Sequence, residues 1–192
     1  GGDDMKRRFE IHGMGTLVRS QPQSRASVEE RAALFSAMEA FPDLLAVSAP
    51  EIGIPKNCIA FRTEGKVIVV ERPAYVVQTQ TDATKSNTAI VAETCPCVPG
   101  VSINKIRNVS ILLWEGLSAE EIRLRAPASY DLPEGQSVTL HNESSFAVQH
   151  CCDHLCDINL LSGAIPSVVD RAIITIRKQI ASGKSKYHSR TF

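Results

Sequence analysis

The sequence has no excess of charge of either sign. Its 192 residues contain 21 Lys and Arg and 21 Asp and Glu, so the formal net charge is +0. The basic residues form no extended patch, although binding to nucleic-acid phosphates depends on clustered Lys and Arg. We therefore expect no nucleic-acid partner.

Long apolar runs and phosphate-binding loops are also missing from the sequence. No stretch approaches the roughly 18 consecutive apolar residues that cross a bilayer, and no charged start followed by an apolar centre resembles a signal peptide. A glycine-rich phosphate loop does not occur. These absences predict a protein with no membrane partner, located inside a cell, in the cytoplasm or, in a eukaryote, in a mitochondrion or another organelle.

The composition is typical of an ordinary globular domain. Hydrophobic residues make up 43% of the chain and charged residues 22%, and a chain of this length can bury one sizeable core. We expect a single domain over residues 11–183. Residues 1–10 are interpreted as an artificial or disordered end, and residues 184–192 as a flexible basic tail.

Hydrophobic periodicity predicts helices towards both ends of the chain and strands between them. A helix is expected over 27–40, where Ser27 and Glu30 have the spacing of a capping box. Two later helices are expected, one capped by Asn142 or Ser144 and one over 168–180. Strands are expected at 58–61, 66–71, 74–79, 108–116, 121–126 and 137–140. Strands followed by a long helix indicate the α+β class.

Five of the six cysteines lie in two short clusters, 95–97 and 151–156. A chain this long and apolar does not depend on disulfides, so metal or redox chemistry inside a cell is the better interpretation. Cys152 and Cys156 also fit a simpler role as small buried apolar residues.

The second cluster contains two histidines four residues apart. On a helix, His150 and His154 share one face, which is a common way to hold a metal ion. A third ligand from the Cys95 and Cys97 cluster would leave a fourth position to water, as in catalytic metal sites. The alternative is that the two histidines share a polar helix face by chance.

Three segments occur in a characteristic order: "LLAVSAPEIG" at 44–53, "ETCPCVPG" at 93–100 and "VQHCCDHL" at 148–155. They resemble the Gly-x-Gly-Leu-Ala-Ala-x-Gln, Glu-Gly-Cys-Leu-Ser and His-Glu-x-x-His motifs of the peptide deformylases, and the resemblance covers about residues 27–161. It implies an α+β fold in which antiparallel sheets surround a central helix with the histidine motif, together with N- and C-terminal helices.

The resemblance also implies a metal site. One divalent ion, Fe²⁺ or Zn²⁺ with Ni²⁺ or Co²⁺ as alternatives, would be bound by one thiolate and two imidazoles, those of Cys95, His150 and His154. Three charged residues would brace these ligands from behind: Glu93, Arg107 and Asp153.

The reaction of the family is removal of the formyl group from the N-terminal methionine of new polypeptides. The resemblance therefore implies an N-terminal peptide or nascent polypeptide as ligand or ancestral substrate, and it leaves the oligomeric state open. The residues expected to line the substrate pocket are Val47, Ser48, Cys97, Val98, Pro99, Gly100, Phe146 and Gln149.

Three positions depart from the family's catalytic residues. Cys151 stands in place of the glutamate that acts as general base. Glu51 replaces a glutamine that donates to the oxyanion, and Pro96 replaces a leucine whose N–H does the same, yet proline has no N–H and an ionised carboxylate only accepts.

These departures predict that ordinary deformylation is very weak or lost. A lost oxyanion donor typically costs about 10²- to 10³-fold and a lost general base about 10²- to 10⁴-fold, although such losses are not additive. The alternative is a divergent metallohydrolase in which Glu51 acts as a relocated base.

Overall fold

The computed structural model describes residues 25–78, 86–116 and 137–181. These residues form three α-helices and eight strands: α1 (Val28–Ala40), β1 (Ala46–Ser48), β2 (Cys58–Thr63), β3 (Lys66–Glu71), β4 (Pro73–Val77), β5 (Thr88–Cys95), β6 (Val98–Asn108), β7 (Ser110–Glu115), β8 (Ser137–His141), α2 (Asn142–Leu155) and α3 (Pro166–Ala181). One 3₁₀ turn, Ala49–Ile52, follows β1.

The strands form three antiparallel sheets. Their orders are β1-β2-β3, β4-β7-β8 and β5-β6, and every described pairing is antiparallel. Because no parallel strand requires a helical crossover, the helices pack against the sheets as separate elements. The α+β class and the antiparallel sheets predicted from the sequence are confirmed.

Helix α1 begins where the capping box predicts. The Glu30 N–H donates to Ser27 Oγ at 3.1 Å, and the Ser27 N–H donates to Glu30 Oε1 at 2.9 Å. These two bonds satisfy amide groups that have no partner within the helix. The helix buries Leu34 and Met38 against the sheet of β1, β2 and β3.

Helix α2 lies at the centre of the domain. Its Val148 and Cys151 pack in a core with Phe61 of β2, Leu113 of β7 and Leu140 of β8, all at most 1% exposed. The same helix contacts β1 and β6. A helix that is enclosed by strands from several sheets holds its side chains in fixed positions, which is the framework that a site needs.

The structure corrects two details of the predicted elements. Helix α2 begins at Asn142, and His141, which makes no side-chain capping bond, occupies its N-cap; Ser144 already lies within the first turn. The hairpin of β5 and β6 was not predicted, because its exposed face includes the apolar residues Ile90 and Ile106 and its turn contains proline. The strand expected at 121–126 and the chain ends at 1–10 and 184–192 lie outside the described residues. None of the described helices is long and apolar enough to span a membrane.

Candidate metal centre

The end of β5 and the middle of α2 bring the three predicted metal ligands together. Cys95 Sγ lies 3.4 Å from His154 Nε2, and His154 Nε2 lies 2.9 Å from His150 Nε2. All three side chains are at most 9% exposed. Ligands of a tetrahedral ion such as zinc lie about 3.3 to 3.8 Å apart, as follows from bond lengths of about 2.0 to 2.3 Å. The Cys95–His154 distance falls in this range, whereas the distance between the two imidazole nitrogens is shorter and is that of a hydrogen bond.

The position of Cys95 depends on an irregularity in the β5–β6 hairpin. The register shifts between Thr94 and Cys95, so that Cys95 pairs with Val98 across a turn formed by Pro96 and Cys97. The Cys97 N–H donates to Cys95 Sγ at 3.4 Å. Such a bulge reorients one side chain out of the regular alternation, and here it directs the thiol towards helix α2.

The pKa of the Cys95 thiol is lowered and those of the two imidazoles are raised, because a thiolate and a protonated ring stabilise each other. Burial raises the pKa of Cys95, but hydrogen bonds with Cys97, His150 and His154 hold it well below its ordinary value. Burial lowers the pKa of His150, but bonds to Cys95 and Glu93 outweigh burial and raise the pKa to about 10. A divalent cation would take the place of the imidazole protons that neutralise the negative charge of the Cys95 thiolate.

Glu93 orients the ring of His150. His150 Nδ1 lies 2.6 Å from Glu93 Oε1, so this nitrogen donates to the carboxylate and Nε2 is the ring nitrogen that faces the centre of the site. The corresponding atom of the other ring, His154 Nδ1, is buried and has no hydrogen-bond partner among the described residues. A hydrogen bond to Nδ1 therefore fixes the orientation of the His150 ring, whereas the described residues provide no such bond for the His154 ring.

Arg107 holds Glu93 in place. The guanidinium binds Glu93 through two bonds, Nε to Oε2 at 2.8 Å and Nη2 to Oε1 at 2.6 Å, and Nη1 donates to Asp153 Oδ2 at 2.7 Å. Burial raises the pKa of Glu93, but the bonds with Arg107 and His150 lower it to about 2. The three predicted bracing residues thus form one network behind His150.

Glu51 reaches the same centre from the 3₁₀ turn after β1. Its Oε1 accepts the Ser48 N–H at 2.9 Å and the Ser48 hydroxyl at 2.8 Å, and it lies 3.9 Å from His154 Nε2. Ser48 and Glu51 have Ser-x-x-Glu spacing, which is the signal by which the sequence could have predicted this fixed carboxylate. Ser48, which the sequence analysis assigns to the substrate pocket, positions Glu51 through these two bonds.

Two thiols surround the Glu51 carboxylate. Cys97 Sγ lies 3.8 Å from Oε2, and Cys151 Sγ lies 3.8 Å from Oε1. Cys152 is half-buried and Cys156 is exposed, so the interpretation of Cys156 as a small buried residue is wrong. The thiol-rich character of the site comes from Cys95, Cys97 and Cys151.

A cavity of about 260 Å³ opens beside the centre. Glu51, Glu93 and His150 line its inner end, together with Pro96. The remaining lining is mainly apolar, with three polar residues: Leu44, Leu45, Ala46, Val91, Ala92, Phe146 and Ala147, together with Asp43, Thr94 and Glu143. An apolar pocket that ends at a few converging polar groups has the form of a ligand site.

Of the predicted pocket residues, Phe146 lines this cavity. Val47, Cys97, Val98 and Gln149 are buried side chains that do not belong to its lining. Gln149 instead accepts the Asn108 N–H and donates to the Asn108 carbonyl, which ties α2 to the end of β6. Gly100 is an exposed residue of β6, and the side chain of Pro99 lies outside the described part of the chain.

No protein-family model and no curated protein matches this sequence. Solved structures do match it. A peptide deformylase from Legionella pneumophila aligns with a TM-score of 0.65 and 14% identity over 91% of this chain and 96% of that one. One from Ehrlichia chaffeensis aligns with a TM-score of 0.64 and 17% identity over 91% and 98%.

A third solved structure adds a bound ligand to the comparison. The peptide deformylase from Synechococcus elongatus in complex with actinonin aligns with a TM-score of 0.62 and 20% identity over 88% of this chain and 86% of that one. These identities are low, so the similarity concerns the arrangement of the backbone. The chain has the fold of the peptide deformylases.

Proposed function

We propose that this protein binds one divalent metal ion through Cys95, His150 and His154 and has lost ordinary removal of N-formyl groups. The observation that carries the proposal is that the site combines converging metal-ligand atoms with a thiol at the position of the family's general base. The thiolate and imidazole atoms converge at distances of 2.9 and 3.4 Å, while a buried thiol replaces the expected general base beside them. A divalent ion bound there would supply Lewis acidity towards a carbonyl oxygen.

Cys151 is unsuited to proton transfer from water. Its side chain is 1% exposed, and burial together with the charge of Glu51 raises the pKa of its thiol well above the ordinary value. The thiol therefore stays protonated near neutral pH, and a protonated thiol does not accept a proton. A general base typically contributes about 10²- to 10⁴-fold to the rate.

The donors for an oxyanion are missing as well. Pro96 lines the inner end of the cavity and has no N–H. Glu51 accepts two bonds from Ser48, so its carboxylate presents acceptors where a developing negative charge needs donors. A developing oxyanion in the cavity thus gains no hydrogen-bond donor from these two positions.

The cavity supports an N-terminal peptide or nascent polypeptide as ligand. Its apolar walls around Leu44, Val91 and Phe146 fit an apolar side chain, and its inner end meets the metal ligand His150. The Synechococcus elongatus structure, similar in fold, holds actinonin. Binding without rapid turnover is therefore the function that this site supports best.

A second function is supported by the position of Glu51. Its carboxylate lines the cavity and lies 3.9 Å from His154 Nε2, which is close enough to act on a water molecule at the metal. Glu51 would then be a relocated base in a divergent metallohydrolase. If so, the E51Q variant loses hydrolysis of formyl- and acyl-peptides; unchanged hydrolysis contradicts this second function.

Restoring the family residues tests the main proposal. The variant with Glu51→Gln, Pro96→Leu and Cys151→Glu regains the amide donor, the N–H donor and the base, so we expect it to hydrolyse a formyl-Met peptide while the wild-type protein does not. Both proteins are loaded with the same metal, and mass spectrometry determines the metal content. Equal rates in the two proteins, with folding verified by circular dichroism, would contradict the proposal.

A further inference from the structure

We infer that this protein encloses its metal ion: Glu51, Cys95, Cys97 and His154 form a four-ligand set that leaves no coordination position of a tetrahedral ion to water. The inference rests on the proposed metal binding and changes its ligand set, because Cys97 and Glu51 join Cys95 and His154 while His150 stays beside His154 outside the set. It assigns the site to the closed class, which holds an ion tightly, rather than to the open class, which activates water.

The distances between donor atoms support this closed set. One ligand atom from each of Glu51, Cys95, Cys97 and His154 lies within 4.8 Å of all the others. The separation of Cys97 Sγ from Glu51 Oε2 is 3.8 Å, and that of Cys95 Sγ from His154 Nε2 is 3.4 Å. These values are close to the about 3.3 to 3.8 Å between the ligands of a tetrahedral ion.

Burial leaves little room for water among these four groups. Cys97 is 0% exposed, Glu51 and His154 are each 2% exposed, and Cys95 is 3% exposed. A buried carboxylate beside buried thiols carries a large cost in free energy unless a cation compensates it. An ion within the set supplies that compensation.

Local structure positions both Cys97 and Glu51 as ligands. Cys97 follows Cys95 by two residues in the tight β5–β6 turn, so the two thiols approach the ion from one short segment. Ser48 holds Glu51 through Oε1, which leaves Oε2 facing Cys97. Two thiolates favour a soft divalent ion such as zinc over magnesium or calcium, and binding would release the proton of the Cys97 thiol.

The sulfur count at the metal tests the inference directly. The protein is loaded with one equivalent of Zn²⁺ for X-ray absorption, or of Co²⁺ for optical spectroscopy, where thiolate-to-cobalt charge transfer grows with each bound thiolate. We expect two sulfur ligands per ion in the wild-type protein. The C97S variant should lose about half of the charge-transfer intensity, and E51Q should weaken cobalt binding at least tenfold.

A matched variant separates this result from a general effect of cysteine removal. C156S removes an exposed thiol from the end of the same helix, and it should leave the spectrum unchanged. One sulfur per ion in the wild-type protein would overturn the closed set and leave the three-ligand site intact. No cobalt or zinc binding by the wild-type protein would overturn both the inference and the proposed metal function. The number of sulfur ligands per ion in the wild-type protein tests the inference even if a variant fails to fold.

Discussion

Cys151 and Glu51 are far apart in the sequence but touch in the structure. Their Sγ and Oε1 atoms are 3.8 Å apart, and both side chains are at most 2% exposed. A glutamate at position 151 would therefore meet the carboxylate of Glu51 in a buried environment, where two negative charges repel strongly. We therefore expect the two departures from the deformylase motifs to be energetically coupled.

This coupling predicts a non-additive effect on stability. C151E alone should be strongly destabilising, because it places a second carboxylate beside Glu51. Adding E51Q should recover part of the loss, with an interaction energy of about 0.5 to 3 kcal/mol. Urea denaturation of the two single variants and the double variant measures this energy, and strict additivity would show that the two side chains act independently.

Arg107 gives a second test at the scale of residues. R107M leaves the buried Glu93 carboxylate without its two-bond partner, which typically costs about 3 to 5 kcal/mol. The control is R31M, because Arg31 pairs with Glu71 at 2.8 Å with 37% of its side chain exposed, and such pairs contribute at most about 1 kcal/mol. Equal losses in the free energy of unfolding would contradict the assigned role of the network.

The residues of the site were only partly predictable from the sequence. His150, His154 and Cys95 lie in short motifs, so the prediction that they are ligands follows from local spacing and family resemblance. The approach of Cys97 to Glu51 joins two separate turns, and no local pattern specifies the distance between them. The sequence therefore offered the cluster of Cys95 and Cys97 as the source of one ligand and placed Cys97 in the pocket, but it did not predict that Cys97 lies 3.8 Å from Glu51.

At the scale of elements, Gln149 anchors helix α2 to the end of β6. Gln149 Oε1 accepts the Asn108 N–H at 3.0 Å, and its Nε2 donates to the Asn108 carbonyl at 2.8 Å. Q149M keeps a similar volume but removes the acceptor of the Asn108 N–H, while Ser145 Oγ still donates to the Asn108 carbonyl; the loss should cost about 1 to 3 kcal/mol. It should also lower metal affinity, since the neighbouring His150 moves with the helix.

Calorimetric titration with zinc and urea denaturation check both expectations. An unchanged affinity with reduced stability would show that Gln149 supports the fold without positioning the ligands.

The elements differ in how far the sequence predicts them. Helix α1 was predictable from its capping box, whereas the β5–β6 hairpin depends on pairing between strands whose exposed faces include Ile90 and Ile106. Apolar residues on an exposed face hide the alternation by which strands are identified.

At the scale of the whole molecule, the bound ion should stabilise the fold. It would join β5, the turn after β1 and helix α2, three elements that belong to different parts of the chain. A ligand present at about 100 times its dissociation constant adds about 2.7 kcal/mol, which corresponds to about 5 to 11 °C in melting temperature for a domain of this size. Thermal unfolding before and after chelation measures the shift, and an unchanged melting temperature would contradict a metal that links these elements.

Turnover of a formyl-Met peptide by the metal-loaded wild-type protein tests the central claim most directly. The peptide deformylase from Legionella pneumophila, assayed with the same metal and peptide, is the reference. With the base and both oxyanion donors missing, we predict a kcat/KM at least about 10⁴-fold lower than that of the reference. A kcat/KM within about tenfold of the reference would show that the deformylase fold has kept its reaction here and would contradict the account.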